Sequence, residues 1–171
     1  FAERCAERDW GVVVPELRGH GDSGGAVGPQ MVDDLLAVMA TLREWGHPRI
    51  AVRGSSMGGL LGLHAAARGE ARAVAAICPA RPERLADVIG APWPRELPLE
   101  TAVRRDDGIA RGYWHATGDD RVPWQSTFAL SAITPHPMLL RVALGGNHGS
   151  LQHDPGVQRQ VISFFAEQLE P

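Results

Sequence analysis

Residues 54–58 spell Gly-Ser-Ser-Met-Gly, which fits Gly-x-Ser-x-Gly with Ser56 at the centre; Ser55 stands in the wrong register. A serine hydroxyl is a weak nucleophile unless a base lies within hydrogen-bond reach. An imidazole suits that task because it titrates near neutrality. The histidines are His20, His47, His64, His115, His136, His148 and His153. His148 stands in Gly145-Gly146-Asn147-His148-Gly149, just past an apolar run that reads as the last strand. Ligand sites in open parallel sheets lie at such C-terminal strand ends, and the glycines let the backbone turn the ring inward. His153 comes later, where the last helix is about to begin. His136 lies between prolines at the start of the strand, at the wrong end of the sheet. A serine–histidine pair works best with a carboxylate that holds the imidazole tautomer and stabilises its charged form. Asp119, which follows Gly118 after a strand-like run, is the favoured acid. Asp120 is the alternative, since acids at helix starts often only cap. This set points to acyl transfer: Ser56 attacks a carbonyl, His148 takes its proton, and Asp119 orients the ring.

Composition narrows the alternatives. All 17 basic residues are Arg, and the chain has no Lys. That removes Ser–Lys dyads, Schiff-base lysines and the phosphate-gripping Lys of a P-loop. The net charge of −3 gives no electrostatic footprint for nucleic acid. Cys5 and Cys78 match no metal-ligand spacing and no disulfide framework, so both are expected as buried or partly buried free thiols, consistent with a reducing cytoplasm. No His-x-x-x-His or His-Glu-x-x-His pair is present, and neither a metal nor a cofactor is expected. No apolar run approaches the roughly 20 residues that span a bilayer. The richness in Ala, Arg, Gly and Pro suggests a bacterial source. The chain begins at Phe1 without an initiator Met, so it is expected to be part of a longer product.

The elements that must position these residues alternate between short β-branched runs and longer helical stretches, the pattern of a mostly parallel sheet with helices on both faces. Strands are expected at 11–15, 49–53, 73–78, 111–117 and 138–144. Helices are expected at 1–9 (a helix end), 29–45, 60–68, 123–133 and 157–169. Met31, Leu35, Val38 and Leu42 form the apolar stripe of the second of these helices, and Val161, Phe164, Phe165 and Leu169 that of the last. Trp114 reads as core. Residues 79–108 are rich in proline and charge and read as a short lid-like excursion with one helix near 83–89, with Trp93 available to pack over a site. One domain spans 1–171. At the turn around Ser56, the glycines make room where side chains would collide as strand meets helix, and the helix N-terminus favours developing negative charge.

Taken together, these residues resemble the α/β-hydrolase superfamily, in its esterase, monoacylglycerol-lipase and serine-aminopeptidase-like branch. The resemblance is carried by Arg18-Gly19-His20-Gly21-Asp22-Ser23, by the elbow Gly54–Gly59, by His115–Pro123 (similar to an HG-x-x-D-x-x-VP acid segment, with Ala116 in place of glycine) and by Gly145–Gly149. The order Ser56, Asp119, His148 is the order of that superfamily. The resemblance implies that residues 10–15 match the fourth strand of the fold, so that the first three strands are lacking and a gap or a non-native pairing lies beside the elbow strand. It implies that His20 is structural, its ring bonded to nearby backbone. It also implies that the Met57 backbone N–H is one oxyanion donor, with the second outside the chain. The expected activity is hydrolysis of a carboxylic ester of short or medium acyl chain, a small-molecule substrate. Thioesters, amides or peptides and acyl transfer use the same triad, and a non-catalytic binding module is the alternative from another class.

Overall fold

A computed structural model describes residues 1–89 and 97–170. The elements in chain order are α1 (Ala2–Ala6), α2 (Met31–Glu44), β1 (Ala51–Ser55), α3 (Met57–Arg68), β2 (Ala73–Ile77), α4 (Pro82–Ile89), α5 (Leu99–Val103), β3 (Ala110–Ala116), α6 (Trp124–Ala132), β4 (Met138–Ala143), α7 (Ser150–His153) and α8 (Pro155–Leu169). The four strands form one parallel sheet in the order β1-β2-β3-β4, with Ser55 beside Ile77 and Ile77 beside Trp114. All C-terminal strand ends therefore share one edge, the edge from which Ser56 and the loops carrying Asp119 and His148 emerge.

Side chains alternate across a strand, so the two faces of the sheet receive different residues. Val74, Ala76 and Tyr113 join Met31, Leu60, Leu63 and Val103 on one face, covered by α2, α3, α5 and α6. Ala73, Ala75, Ile77 and Trp114 join Val161, Phe164 and Phe165 on the other, covered by α7 and α8. Phe164 meets the Trp114 ring edge-on with centroids 5.8 Å apart, the favoured aromatic geometry. The last helix starts where its sequence says it should. Pro155 opens it, and the Asp154 carboxylate accepts from the Val157 N–H at 2.8 Å, satisfying an otherwise orphaned first-turn donor.

Four differences from the sequence expectations have physical causes. Residues 11–15 are not a strand. The segment forms no ladder, and Val12, Val13 and Val14 are exposed, Val14 by 81%. A valine run becomes a strand only where a partner strand offers hydrogen bonds, and β1 pairs with β2 alone among the described residues. The elbow strand β1 is therefore an edge of the sheet, unpaired on its outer side among the described residues. On α2 the buried residues are Met31, Val32 and Met39, with Leu35, Leu36 and Leu42 partly buried; the seam lies one position off Val38, which is half-buried. Helix α3 begins at Met57 rather than at residue 60, so it follows Ser56 directly. Finally, the 79–108 excursion holds α5 as well as α4, and Leu99, Ala102 and Val103 of α5 are core residues rather than part of a flap. Pro92, Trp93 and Pro94 lie outside the described residues.

Candidate active site

Ser56 occupies the turn between β1 and α3 with φ 52° and ψ −118°. A non-glycine residue there is strained by about 1–3 kcal/mol and persists only when its surroundings fix it. The surroundings do so through the backbone. The Ser56 N–H donates to the Ile77 carbonyl at 2.9 Å, and the Ser56 carbonyl accepts from Gly59, Leu60 and Ala80 at 2.9–3.1 Å. The two glycines of the Gly-x-Ser-x-Gly pattern play unequal parts. A Cβ on Gly54 would fall inside the Gly58 carbonyl group, whereas a Cβ on Gly58 meets nothing within 4 Å. The expectation that both flanking glycines prevent a collision holds for Gly54 only. The second crowded glycine is Gly59, where a Cβ would come within 3.1 Å of the Pro79 backbone.

The loops bearing the acid and the histidine are zipped together beyond the strand ends. Thr117 N–H donates to the Ala143 carbonyl at 2.9 Å, Gly118 N–H to the Gly145 carbonyl at 3.1 Å, and Gly145 N–H to Thr117 Oγ1 at 2.8 Å. Gly145 and Gly146 take φ of 71° and 74°, where glycine avoids the Cβ penalty. Asn147 then folds the chain back, its Oδ1 accepting from Gly149 N–H at 3.0 Å. The result is that His148 points at Ser56.

The sequence-predicted residues meet. Ser56 Oγ lies 2.8 Å from His148 Nε2, and His148 Nδ1 lies 2.8 Å from Asp119 Oδ2. The Asp119 carboxyl is fully buried, and the His148 side chain is 12% exposed. Asp119 Oδ1 accepts from the N–H groups of Arg121 and Val122 at 2.9 and 2.8 Å. Burial pushes this carboxyl upward, but the Val122 N–H, the His148 ring and the Arg121 N–H outweigh it and hold the group below the ordinary aspartate value. A carboxylate so held stays charged and can support an imidazolium. The Met57 N–H starts α3 beside Ser56, one of the first-turn donors that an α-helix leaves free.

The other candidates fall elsewhere. Asp120 and Ser55 line the cleft but make no hydrogen bond to the His148 ring. That cleft measures about 510 Å³ and also takes Arg121, Asn147 and Gln152 as walls. His153 ends α7 with its ring against Gln152. His136 lies before β4, at the opposite end of the sheet. His20 is exposed, its Nδ1 3.2 Å from the Arg18 carbonyl.

Two buried groups lie near Asp119 that the sequence alone does not assign to the site. Cys78 follows β2 and offers its sulfur within 4.8 Å of Asp119 and His148 ligand atoms. Burial, with the Asp119 charge, pushes its thiol up to about 12, so it stays protonated. The three side chains have the donor types of a metal site, but a cation there would have to displace both the thiol proton and the proton His148 shares with Asp119. His115 on β3 is fully buried, with Nε2 3.2 Å from Asp119 Oδ2. Its only sequence signal was membership of the acid segment.

The sequence profile described as "Serine aminopeptidase, S33" matches residues 1–100. The chain belongs to this family of α/β-hydrolases. Solved structures agree on the fold. The α/β-hydrolase GrgF from Penicillium sp. sh18 superposes with a TM-score of 0.73 at 15% identity, covering 90% of this chain and 78% of that one. Est1E from Butyrivibrio proteoclasticus, solved with ferulic acid, gives 0.70 at 20% identity, covering 91% and 76%. XC6422 from Xanthomonas campestris, described as a serine hydrolase without lid, gives 0.69 at 18% identity, covering 91% and 65%. No curated protein sequence matches this hydrolase. No described helix of the hydrolase is long and apolar enough to cross a membrane.

Proposed function

We infer that the protein hydrolyses carboxylic esters of short or medium acyl chain through an acyl-enzyme on Ser56. The observation that carries this reading is the unbroken hydrogen-bonded line Ser56 Oγ, His148, Asp119, with both links at 2.8 Å. Ser56 Oγ attacks the acyl carbonyl carbon as His148 Nε2 takes the hydroxyl proton. The carbonyl oxygen becomes an oxyanion and accepts from the Met57 N–H, helped by the α3 N-terminus. Asp119 Oδ2 keeps the proton on Nδ1 and stabilises the imidazolium. His148 then gives the Nε2 proton to the leaving alkoxide, the C–O bond breaks, and the acyl group remains on Ser56. Water enters by the same steps in reverse and frees the acid. Loss of an oxyanion donor typically lowers turnover about 10²–10³-fold.

The short-acyl assignment rests on the cleft, whose described walls near Ser56 include the polar side chains of Asp120, Arg121, Asn147 and Gln152. The test is turnover of p-nitrophenyl acetate, butyrate and laurate by the wild type and by Ser56→Ala. Turnover of acetate and butyrate that disappears in Ser56→Ala supports the reading. Turnover that persists in Ser56→Ala refutes it, and a preference for aminoacyl p-nitroanilides would transfer the same triad to peptides.

A further inference from the structure

We propose that His115, a second imidazole on the acid's outer oxygen, is the positioning residue that fixes Asp119 for His148; this rests on the hydrolase reading above. His115 lies on β3 with no exposed surface. Its Nε2 is 2.9 Å from the Val122 carbonyl, and its Nδ1 is 2.7 Å from Thr127 Oγ1 on α6. A carbonyl only accepts, so Nε2 carries the hydrogen and Nδ1 receives the Thr127 hydroxyl. Burial favours this neutral ring. The same Nε2 stands 3.2 Å from Asp119 Oδ2, the oxygen that faces His148. The two imidazoles on that oxygen differ in what holds them. His148 rides on a glycine-rich loop with two left-handed residues, largely exposed on either side. His115 is anchored in a central strand. Asp119 Oδ1 is tied to the turn by the Arg121 and Val122 N–H groups, and Val122 returns its carbonyl to His115. The carboxylate is therefore approached at both oxygens, and the buried reference beside Oδ2 is His115, whose Nε2–H lies between the Val122 carbonyl and that oxygen. Without it, the carboxylate keeps, beyond the turn N–H groups, only the Cys78 thiol and the ring it is meant to orient.

The experiment compares His115→Gln with His115→Asn in the full-length protein. Both are polar and similar in bulk. A glutamine amide reaches the Nε2 position, and an asparagine amide reaches only the Nδ1 position beside Thr127. The readouts are kcat and KM for p-nitrophenyl acetate, and the low-field proton resonance of the His148 Nδ1–H shared with Asp119. The resonance needs no substrate, so it reads the proposal even if ester turnover is absent. His115→Asn is expected to lower kcat about 10- to 100-fold, the scale of a misplaced catalytic group, with KM unchanged and the resonance broadened or lost. His115→Gln is expected to restore most of both. A folded His115→Asn protein with wild-type kcat and an unchanged resonance overturns the proposal, as does an equal loss in the two variants. A wild type that turns over no ester yet shows the resonance, and its loss in His115→Asn alone, would sink the hydrolase reading while leaving the positioning role standing.

Discussion

Replacing Asp119 with Asn changes one atom type in a site whose hydrogen bonds dictate the outcome. The amide can seat its oxygen in either of two places. With the oxygen at the Oδ1 position it still accepts from Arg121 and Val122 N–H. With the NH₂ group there instead, two backbone donors face a donor, at about 1–3 kcal/mol for each group left unsatisfied. The first orientation wins, and the NH₂ group is then presented to His148 Nδ1, 2.8 Å away. His148 relieves that conflict by moving its proton to Nε2, the nitrogen that takes the Ser56 proton in the proposed mechanism. The wrong tautomer typically lowers kcat about 10⁴-fold. At about 1.36 kcal/mol per decade this is about 5.4 kcal/mol of lost transition-state stabilisation. The assay is kcat for p-nitrophenyl acetate, with the melting temperature measured in parallel, because the isosteric swap keeps the Oδ1 bonds and most of the stability. A folded Asp119→Asn protein within tenfold of wild type would refute the reasoning.

Gly58→Ala is expected to melt near the wild-type temperature, since the new methyl meets empty space, whereas Gly54→Ala collides with backbone and is expected to cost at least the ~3 kcal/mol upper end of overpacking; equal melting temperatures would contradict the elbow geometry. Phe164→Ala removes the edge contact to Trp114 and is expected to cost about 3–5 kcal/mol in denaturant unfolding, with the Trp114 fluorescence reporting the change. Burial lowers the titration of His64 and His115 below the ordinary histidine value. The unfolded chain therefore binds protons first as pH falls below about 6.5, and stability drops with it. Calorimetry from pH 7.5 to 5.5 is expected to show a falling melting temperature, and a flat profile would contradict two neutral buried rings.

The legible parts of the sequence were those written by local chemistry. Four strands, the elbow around Ser56 and the glycines before His148 carry their own turn and propensity signals, and the strand ends bring Ser56, Asp119 and His148 to one edge. Other features depend on neighbours that one sequence does not display. Val12–Val14 has the composition of a strand, but a strand exists only where another offers its edge. Leu99–Val103 is too short to show a helical period, and only its burial beside α3 reveals its place. Gly58 and Gly59 are adjacent glycines, and which one is crowded depends on Pro79, far along the chain. His115 looks like any core histidine until the Val122 turn brings Asp119 back over it.

The most direct test of the central claim is where a covalent probe lands and how fast. The full-length protein, treated with a fluorophosphonate and digested for mass spectrometry, is expected to carry a single adduct on the peptide containing Ser56. In His148→Gln the labelling rate is expected to fall about 10³-fold or more, as when a serine loses its base. An adduct on another residue, or labelling of Ser56 at the wild-type rate without His148, would contradict the account.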